Sequence, residues 1–464
     1  MNFIRLFYAG VGAGLLSSAA FAAETANWWL TSLDKSALLS EQTPALVFTP
    51  AGSATSGGIV VNPDRHYQTI DGFGFALTGG SAGYLVNLPP AERKKLLDEL
   101  FSPAGDGIGI SYLRVSIGSS DLNERVFSYD DLAPGQTDVA MEHFNLSDDL
   151  LNVVPVLKEI LAINPRIKIL GSPWSAPVWM KTNGNIQGGK LKEEYYPAYA
   201  LYFARYIKAM AAEGIPIDAI TVQNEPFNDG NTPSMQLFAK EEARFIKQDL
   251  GPMFKREGIT TKIVLYDHNC DAPEYPVSIL TDPEARQFVN GSGFHLYAGP
   301  VTAMSVVHDR FPDKALYFTE MMAVNRREFR ISQPVARILI GATRNWSRNV
   351  ILWNLAANSK FQPHTDNGGC AMCQGAISID GSTITRNLAY YVIGHAAKFV
   401  PAGSVRIEST DDPALPNVAF RTPQNKTVLI VANVSDASRK IPIVYAGKTI
   451  EAEIGAGGAA TFVW

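Results

Sequence analysis

The sequence has little net charge and no stripe of basic residues. Its 464 residues include 40 basic and 45 acidic side chains, for a formal charge of −5 at pH 7. Nucleic acids and anionic membrane surfaces are therefore poor matches as partners. The hydrophobic content of 46% and charged content of 18% exclude a disordered chain and are typical of a globular protein. The length allows one large domain and a smaller one.

Long hydrophobic runs are absent after the N-terminus. Arg5, the apolar run that follows it and the small residues ending at Ala22 are typical of a secretory signal peptide over residues 1–22. A membrane anchor is the weaker alternative, because the run is short and interrupted by glycines. We therefore expect an exported protein with no transmembrane anchor, in the periplasm or in the medium.

Three cysteines are too few for a disulfide framework or a closed zinc site. Cys370 and Cys373 form a single C-x-x-C among glycines, and no second pair exists to complete a set of zinc ligands. In an oxidising compartment this spacing favours a local disulfide. Cys270 is left over, and we expect it to be buried.

The chain also lacks a G-x-G-x-x-G turn after its first strand, which argues against a doubly wound nucleotide-binding sheet. Short apolar runs alternate with amphipathic segments instead. The eight strand-like runs are Gln68–Leu77, Ile108–Ile117, Ile167–Gly171, Ala219–Gln223, Lys262–Tyr266, Gly293–Tyr297, Ala315–Thr319 and Val350–Leu355. Helical segments include Pro89–Phe101, Asp148–Asn164, Pro197–Glu213, Ser234–Leu250 and Gln333–Asn345, with Ser234 as an expected N-cap. This α/β alternation predicts a (β/α)8 TIM barrel with enlarged loops over residues 67–400.

The two ends of the chain have a different pattern. Residues 401–464 contain short alternating strands separated by turns, which predicts a small antiparallel β-sandwich domain. Residues 24–66 carry further strand-like pieces and no long helix. We expect these N-terminal strands to complete the same sandwich, so that both chain ends build it.

Two glutamates end strand-like runs of the predicted barrel. Glu225 follows the fourth run and precedes Pro226, and Glu320 ends the seventh. The carboxyl ends of barrel strands form the active face, so these carboxylates should face each other across its mouth. Such a pair is what cleavage of a glycosidic bond requires, although a solvated strand end would suit either residue alone.

The ordered motifs of the chain resemble glycoside hydrolase family 30, the family of glucosylceramidases and β-1,6-glucanases. The matching segments run from residue 71 to the C-terminal sheet and include DGFG at 71–74, SPWSAP at 172–177, WMKTNG at 179–184, QNEP at 223–226, LTDPEA at 280–285, FHLY at 294–297 and GHAAKF at 394–399. NEP alone occurs in many barrel glycosidases, but the full set is specific.

This resemblance implies a retaining mechanism with Glu225 as acid/base and Glu320 as nucleophile. It also places Arg114 and Tyr297 beside Glu320, and Asn224 on the 2-hydroxyl of the sugar. We expect donors to keep Glu320 ionised and the pKa of Glu225 to be raised, as an acid requires. Acid, base and nucleophile are then all side chains, so no metal or organic cofactor is needed.

Other residues at strand ends are candidates for sugar contacts. Trp174 and Trp353 follow the third and eighth runs and could form platforms for an apolar sugar face, although core packing also suits them. His295 lies two residues before Tyr297, on the same face of its strand, which favours a hydrogen-bonding role. For Asp267 and His268, a position in the cleft and a solvated loop remain equal alternatives.

One departure from the family favours a particular substrate. Glucosylceramidases similar to this chain carry an acidic residue just after the stretch G-F-G-x-x-x-T, where this chain reads Thr78-Gly79-Gly80-Ser81. The missing carboxylate would open space around O6 of the bound glucose. We therefore expect a secreted retaining β-glycoside hydrolase, most consistent with an endo-β-1,6-glucanase acting on β-glucan as a monomer. The alternatives are a glucosylceramidase or exo-β-glucosidase acting on a glucosyl lipid or oligosaccharide, and a non-catalytic carbohydrate-binding protein.

Overall fold

A computed structural model describes residues 24–51, 58–324 and 328–464 of the chain. Its strands, in chain order, are β1 Thr25–Thr31, β2 Ser40–Val47, β3 Thr49–Pro50, β4 Ile59–Thr69, β5 Gly72–Ala76, β6 Tyr112–Ser116, β7 Lys168–Ser172, β8 Ala219–Thr221, β9 Lys262–Asn269, β10 Val289–His295, β11 Ala315–Glu320, β12 Ser347–Leu352, β13 Ala356–Ala357, β14 Ile377–Asp380, β15 Thr383–Arg386, β16 Val405–Ser409, β17 Asn417–Arg421, β18 Thr427–Ala432, β19 Arg439–Tyr445, β20 Lys448–Ile454 and β21 Ala459–Val463.

The helices pack mainly around one of the sheets. They are α1 Gly79–Val86, α2 Pro90–Phe101, α3 Val153–Ile163, α4 Tyr196–Ala212, α5 Ala239–Phe245, α6 Gly251–Glu257, α7 Glu274–Thr281, α8 Pro283–Arg286, α9 Ala303–Arg310, α10 Ser332–Pro334, α11 Gly341–Arg344 and α12 Leu388–Ala397. Two π-helical segments, Ile246–Leu250 and Val335–Ile340, join α5 to α6 and α10 to α11. Single 3₁₀ turns occur at Ser147–Leu150, Val178–Met180 and Glu193–Tyr195.

Strands β5 to β12 form a closed parallel barrel, in which β12 pairs back with β5. The predicted TIM barrel is confirmed, and each of its strands overlaps one of the predicted runs. Because both faces of such a sheet are covered, the strands consist almost entirely of buried residues. A cluster inside the barrel is separate from the larger core between strands and helices and consists of Tyr112, Leu170, Ala219, Val264, Tyr317 and Ile351.

One helix begins later than its sequence predicted. The segment expected to start at Ser234 becomes helical at Ala239, where the Glu241 carboxylate accepts a hydrogen bond from the backbone N–H of Phe238 at 2.9 Å. Ser234 is not the N-cap, because its hydroxyl accepts the backbone N–H of Gly188 at 2.9 Å instead. The hydrogen bond between Ser234 and the distant loop at Gly188 therefore takes the place of the expected cap at the start of this helix.

The second sheet contains ten strands in the order β2-β1-β21-β18-β17-β16-β4-β19-β20-β3. Strands from both chain ends alternate in it, as expected, and β1 pairs antiparallel with β21 through Trp28 and Phe462. Three of its strands, β1, β3 and β20, were not predicted from the sequence. Its own hydrophobic cluster includes Ile59, Val61, Leu429, Ile443 and Phe462.

The predicted signal peptide, residues 1–22, lies outside the described residues. Among the helices of the described ranges, none has both the length and the apolarity needed to cross a bilayer.

A buried histidine connects the barrel to the second sheet. His395 on α12 lies between two hydroxyl groups, with Nδ1 2.9 Å from Thr461 Oγ1 and Nε2 2.9 Å from Thr31 Oγ1. Burial disfavours the charged ring and lowers the pKa of His395 to about 3. In its neutral form His395 therefore connects β1 and β21, the first and last strands of this sheet in chain order.

This histidine should make stability fall in acid. Its folded pKa lies below the unfolded value of about 6.5, so its stabilising effect is complete above pH 6.5 and is lost as the pH falls towards 3. Over that interval we expect a loss of up to about 1.4 kcal/mol per pH unit from this residue. The measurement is urea unfolding of the wild type and of His395→Gln at pH 7 and pH 4.5. The free-energy difference between the two proteins should shrink at pH 4.5, and a difference independent of pH would contradict this assignment.

Candidate active site

The predicted site residues meet at one end of the barrel. Parallel strands bring their carboxyl ends to the same side, and Arg114, Glu225, His295 and Glu320 lie in or just after four of them. Glu225 has a φ of +47°, in the left-handed region that residues other than glycine rarely adopt. Its backbone N–H donates to the carbonyl of Asp267 at 3.0 Å, which holds this conformation.

Arg114 is the centre of the cluster and is fully buried. Its Nη1 donates to Glu320 Oε2 at 2.6 Å, while Nη2 donates to Asn224 Oδ1 at 2.7 Å and to Asp267 Oδ2 at 2.8 Å. Its Nε donates to the Ser172 hydroxyl at 3.2 Å. A planar guanidinium with five donors can satisfy several acceptors at fixed angles, which an ammonium group cannot do.

His295 links both glutamates to the arginine cluster. Its Nδ1 lies 3.3 Å from Glu225 Oε1 and 3.9 Å from Glu320 Oε1, and its Nε2 lies 3.1 Å from Asp267 Oδ1. The Tyr297 hydroxyl donates to Glu320 Oε1 at 2.9 Å. His295 therefore hydrogen-bonds Glu225 and Asp267 and lies close to Glu320, while its role towards a substrate stays a prediction.

The shared histidine nitrogen limits the separation of the two glutamates. From the distances of 3.3 and 3.9 Å, their Oε1 atoms are at most about 7 Å apart. Retaining glycosidases need about 5 Å between carboxyl groups, and inverting ones about 6.5–9.5 Å. The upper limit of about 7 Å therefore includes the separation that a retaining glycosidase needs and excludes most of the range of an inverting one.

A cavity of about 270 Å³ opens onto these carboxylates. Its wall includes Trp174 and Trp353, whose rings stack on each other with centroids 5.4 Å apart. The Arg114 guanidinium lies 4.8 Å from the Trp174 ring and 5.8 Å from the Trp353 ring. Both indoles are buried and both also line the cavity, so core packing does not exclude the predicted platform role.

Comparison with known families matches the barrel and the C-terminal strands of the second sheet. The model of the glycosyl hydrolase family 30 TIM-barrel domain matches residues 70–400, and that of the family 30 beta sandwich domain matches residues 403–462. The chain belongs to glycosyl hydrolase family 30. It is a glycosidase, as its resemblance to the family implied.

Relatives of this family 30 enzyme fall into two groups by name. Endo-1,6-beta-D-glucanase neg1 of Aspergillus fumigatus is 33% identical over 393 residues, 79% of each chain. Lysosomal acid glucosylceramidase of Mus musculus is 28% identical over 420 residues, 83% of this chain and 78% of that one. Among solved structures, the endo-beta1,6-glucanase BT3312 matches with a TM-score of 0.86 and 32% identity, covering 95% of this chain and 99% of that one.

The pKa shifts of the two family 30 glutamates run in the direction opposite to the expectation. Burial opposes the charge on Glu225, but the hydrogen bond and the charge of His295 outweigh it and lower the pKa of Glu225 to about 2. Burial raises the pKa of Glu320, and the cations of His295 and Arg114 oppose this only in part, because Glu225 and Asp267 add negative charge. The expected raised pKa for Glu225 was therefore wrong for this state.

His295 is the reason for the low pKa of Glu225. Burial lowers its pKa, but the charge of Glu320 and the hydrogen bonds to Asp267 and Glu225 outweigh burial and raise that pKa to about 9. A cation 3.3 Å from Glu225 holds this carboxylate ionised. The sequence did not predict this contact between His295 and Glu225, because the two residues are 70 positions apart.

The interpretation of Thr78–Ser81 as open space also requires correction. Thr78 caps α1, since its hydroxyl accepts the backbone N–H of Ser81 at 3.1 Å. A Cβ on Gly79 or Gly80 would collide with the loop at 122–123, so the glycines make room for that loop and not for sugar. Next to it, Asp121 brings a carboxylate into the cavity wall. The cavity therefore does contain an additional acidic group.

Several site residues were not identified from the sequence. Asn228 donates to Glu225 Oε2 at 2.7 Å, and Asp121 and Met322 line the cavity. Asp267, for which a solvated loop was an equal alternative, is completely buried beneath the catalytic pair. All of these residues lie within a few residues of the carboxyl end of a barrel strand. Many unrelated residues do so too, so this position alone did not identify them.

Removing the central cation should destabilise the fold. Arg114→Met leaves Asp267 and Glu320 buried without their cation, so we expect the free energy of unfolding to fall by about 3–5 kcal/mol in urea at pH 7. The matched control is Arg125→Met, which breaks an exposed ion pair with Asp148 at 2.6 Å and should change stability little. Equal losses in the two variants would contradict the central role of Arg114.

Proposed function

We propose that this protein is a retaining β-glucan hydrolase, and that its substrate is β-1,6-glucan cleaved within the chain. The observation that carries the proposal is the convergence of Glu225 and Glu320 on the same nitrogen of His295 beside an open cavity. Two carboxyl groups so placed can act on one glycosidic bond, one attacking the anomeric carbon and the other protonating the glycosidic oxygen. Relatives named as endo-1,6-glucanases support the linkage.

Glu320 is the nucleophile of this mechanism. Arg114 donates to one of its oxygens at 2.6 Å and Tyr297 to the other at 2.9 Å. These donors fix the carboxylate plane and stabilise its negative charge, while burial removes water that would compete with the sugar. Attack on the anomeric carbon forms a glycosyl ester on Glu320 and neutralises its charge.

Glu225 and His295 together supply the proton. The raised pKa of His295 favours a proton on this ring, whose Nδ1 lies 3.3 Å from Glu225 Oε1. Transfer of this proton to Glu225 and then to the glycosidic oxygen releases the leaving group. Glu225, ionised again, can take a proton from the water that hydrolyses the ester, and the proton then returns to His295.

The roles of the two glutamates can be tested directly. We expect Glu320→Gln to abolish turnover of every β-glucoside, and Glu225→Gln to lower kcat by about 10²–10⁴ on substrates whose leaving group needs a proton. An activated aryl glucoside, which needs no proton, should retain its first step in Glu225→Gln. Burst kinetics and mass spectrometry of peptides carrying a trapped 2-fluoro-glucosyl ester measure both.

The matched control is Glu274→Gln at an exposed glutamate, which should leave kcat unchanged. An ester on a residue other than Glu320, or full activity of Glu320→Gln, would contradict the assignment.

A second candidate is hydrolysis of a glucosyl lipid. It is favoured by the similarity to lysosomal acid glucosylceramidase over most of both chains and by Asp121, which lines the cavity and can accept hydrogen bonds from glucose hydroxyls.

The two substrates can be separated by their products. On pustulan, a β-1,6-glucan, we expect oligosaccharides longer than one glucose early in the reaction, detected by mass spectrometry. On glucosylceramide in mixed micelles we expect no release of ceramide above the Glu320→Gln background. Ceramide release with no action on pustulan would replace the first candidate by the second.

Export and a monomeric state remain parts of the proposal. The signal-like residues 1–22 motivate export, and a disulfide between Cys370 and Cys373 suits an oxidising compartment. N-terminal sequencing of the secreted enzyme and light scattering in solution test these two points.

A further inference from the structure

A disulfide forms part of the cavity wall, although the proposed chemistry does not require one. Cys370 and Cys373 are bonded, which confirms the pairing expected from the sequence. They lie in the long connection between β13 and β14, and with Gly368 and Gly369 they line the same cavity as the two glutamates. We call residues 368–373 the disulfide loop.

The disulfide loop holds a buried carboxyl group in the cavity. The backbone N–H of Cys370 donates to Asp121 Oδ2 at 3.2 Å, and the nearby N–H of Thr365 donates to the backbone carbonyl of Asp121 at 2.8 Å. Asp121 is only 4% exposed. Burial, together with the charges of Glu320 and Glu225, raises its pKa to about 7. Such a group depends on its few donors for its position.

The sulfur atoms of the disulfide lie against a different part of the cavity wall from Asp121. Cys373 Sγ lies 3.2 Å from Met322 Sδ, and Met322 follows the nucleophile Glu320 by two positions. Cys373 is 2% exposed and packs in one apolar cluster with Trp174 and Trp353. The loop thus contacts segments that follow three barrel strands, β6, β11 and β12.

We propose that the Cys370–Cys373 disulfide is a positioning element that sets the affinity of the sugar subsite. It fixes the Cys370 N–H that orients Asp121, so that the Asp121 carboxyl group can accept from or donate to a hydroxyl of the glucose held between the glutamates. The proposal rests on the proposed glucosidase function and deepens it. Opening the disulfide should leave the Glu320 and Glu225 network in place, because among the described residues its hydrogen bonds run to Arg114, Tyr297, His295 and Asn228 and not to the loop.

A double-mutant cycle tests whether the disulfide acts through Asp121. The four proteins are wild type, Cys370→Ser/Cys373→Ser, Asp121→Asn and the combined variant, each assayed on pustulan and on an aryl β-glucoside. We expect the serine pair to raise KM about 5- to 10-fold, the effect of losing one hydrogen bond to a buried group, with kcat changed less than about 2-fold. In the Asp121→Asn background the same change should raise KM less than about 2-fold.

Additive effects on KM, or a loss confined to kcat, would overturn the proposal. The melting temperature and the fraction of molecules that form the trapped ester on Glu320 are measured for each protein, so that loss of folded enzyme is not counted as lost affinity. Wild-type enzyme inactive on every β-glucoside would refute the proposed function itself. Active wild type with an unchanged KM in the serine pair would refute only the inference.

Chemical reduction supplies a second route if the serine pair does not fold. Dithiothreitol converts the disulfide to two thiols and is oxidised to its own cyclic disulfide. Treated wild type, with two new thiols per chain by titration, should show the raised KM of the serine pair, while Cys270 stays buried in both states. An unchanged KM after complete reduction of folded enzyme would overturn the proposal.

Discussion

A single buried guanidinium determines the geometry of this active site. Arg114 donates to Ser172, Asn224, Asp267 and Glu320, which lie in or next to four further strands of the barrel. Burying a cation is costly unless its donors are all satisfied by well-placed acceptors. The strand register must therefore deliver all four acceptors at once. The strand register that closes the barrel correctly therefore also places Glu320 correctly.

Around this cation, the charges form one coupled system rather than separate acid and base. Asp267 accepts from Arg114 and lies 3.1 Å from His295, and His295 in turn lies close to both glutamates. Displacing one proton changes the electrostatic surroundings of every member. In the proposed mechanism, formation of the glycosyl ester would remove the charge of Glu320, and His295 would lose one of the anions that raise its pKa. The second half of the proposed reaction would therefore begin in an altered electrostatic field.

Much of the fold and of the site could be predicted from local patterns. Barrel strands buried on both faces appear as short apolar runs, so Glu225 and Glu320 could be assigned to strand ends. A C-x-x-C among glycines was sufficient for the disulfide. The strand β20 was missed because its alternating polar residues, such as Glu451 and Glu453, resemble an exposed loop.

The remaining features depend on contacts through space. The low pKa of Glu225 comes from His295, and the role of Gly79 comes from the loop that packs on it. Ser234 had good capping chemistry, but another loop offered it a partner. Asp121 has only a weak local signal, its position shortly after β6, and closure of the barrel is what brings it to the cavity. Roles that follow from a residue's place in the sequence could thus be predicted. Roles that depend on neighbours from other strands could not.

The arrangement of the second sheet has a consequence for how the enzyme is made. Strand β1 pairs with β2 on one side and, on the other, with β21, which lies more than 400 residues later in the chain. Such distant pairings are slow to form. The native sheet therefore cannot be completed before β21 is synthesised, whereas all eight barrel strands precede β16 and can pair earlier.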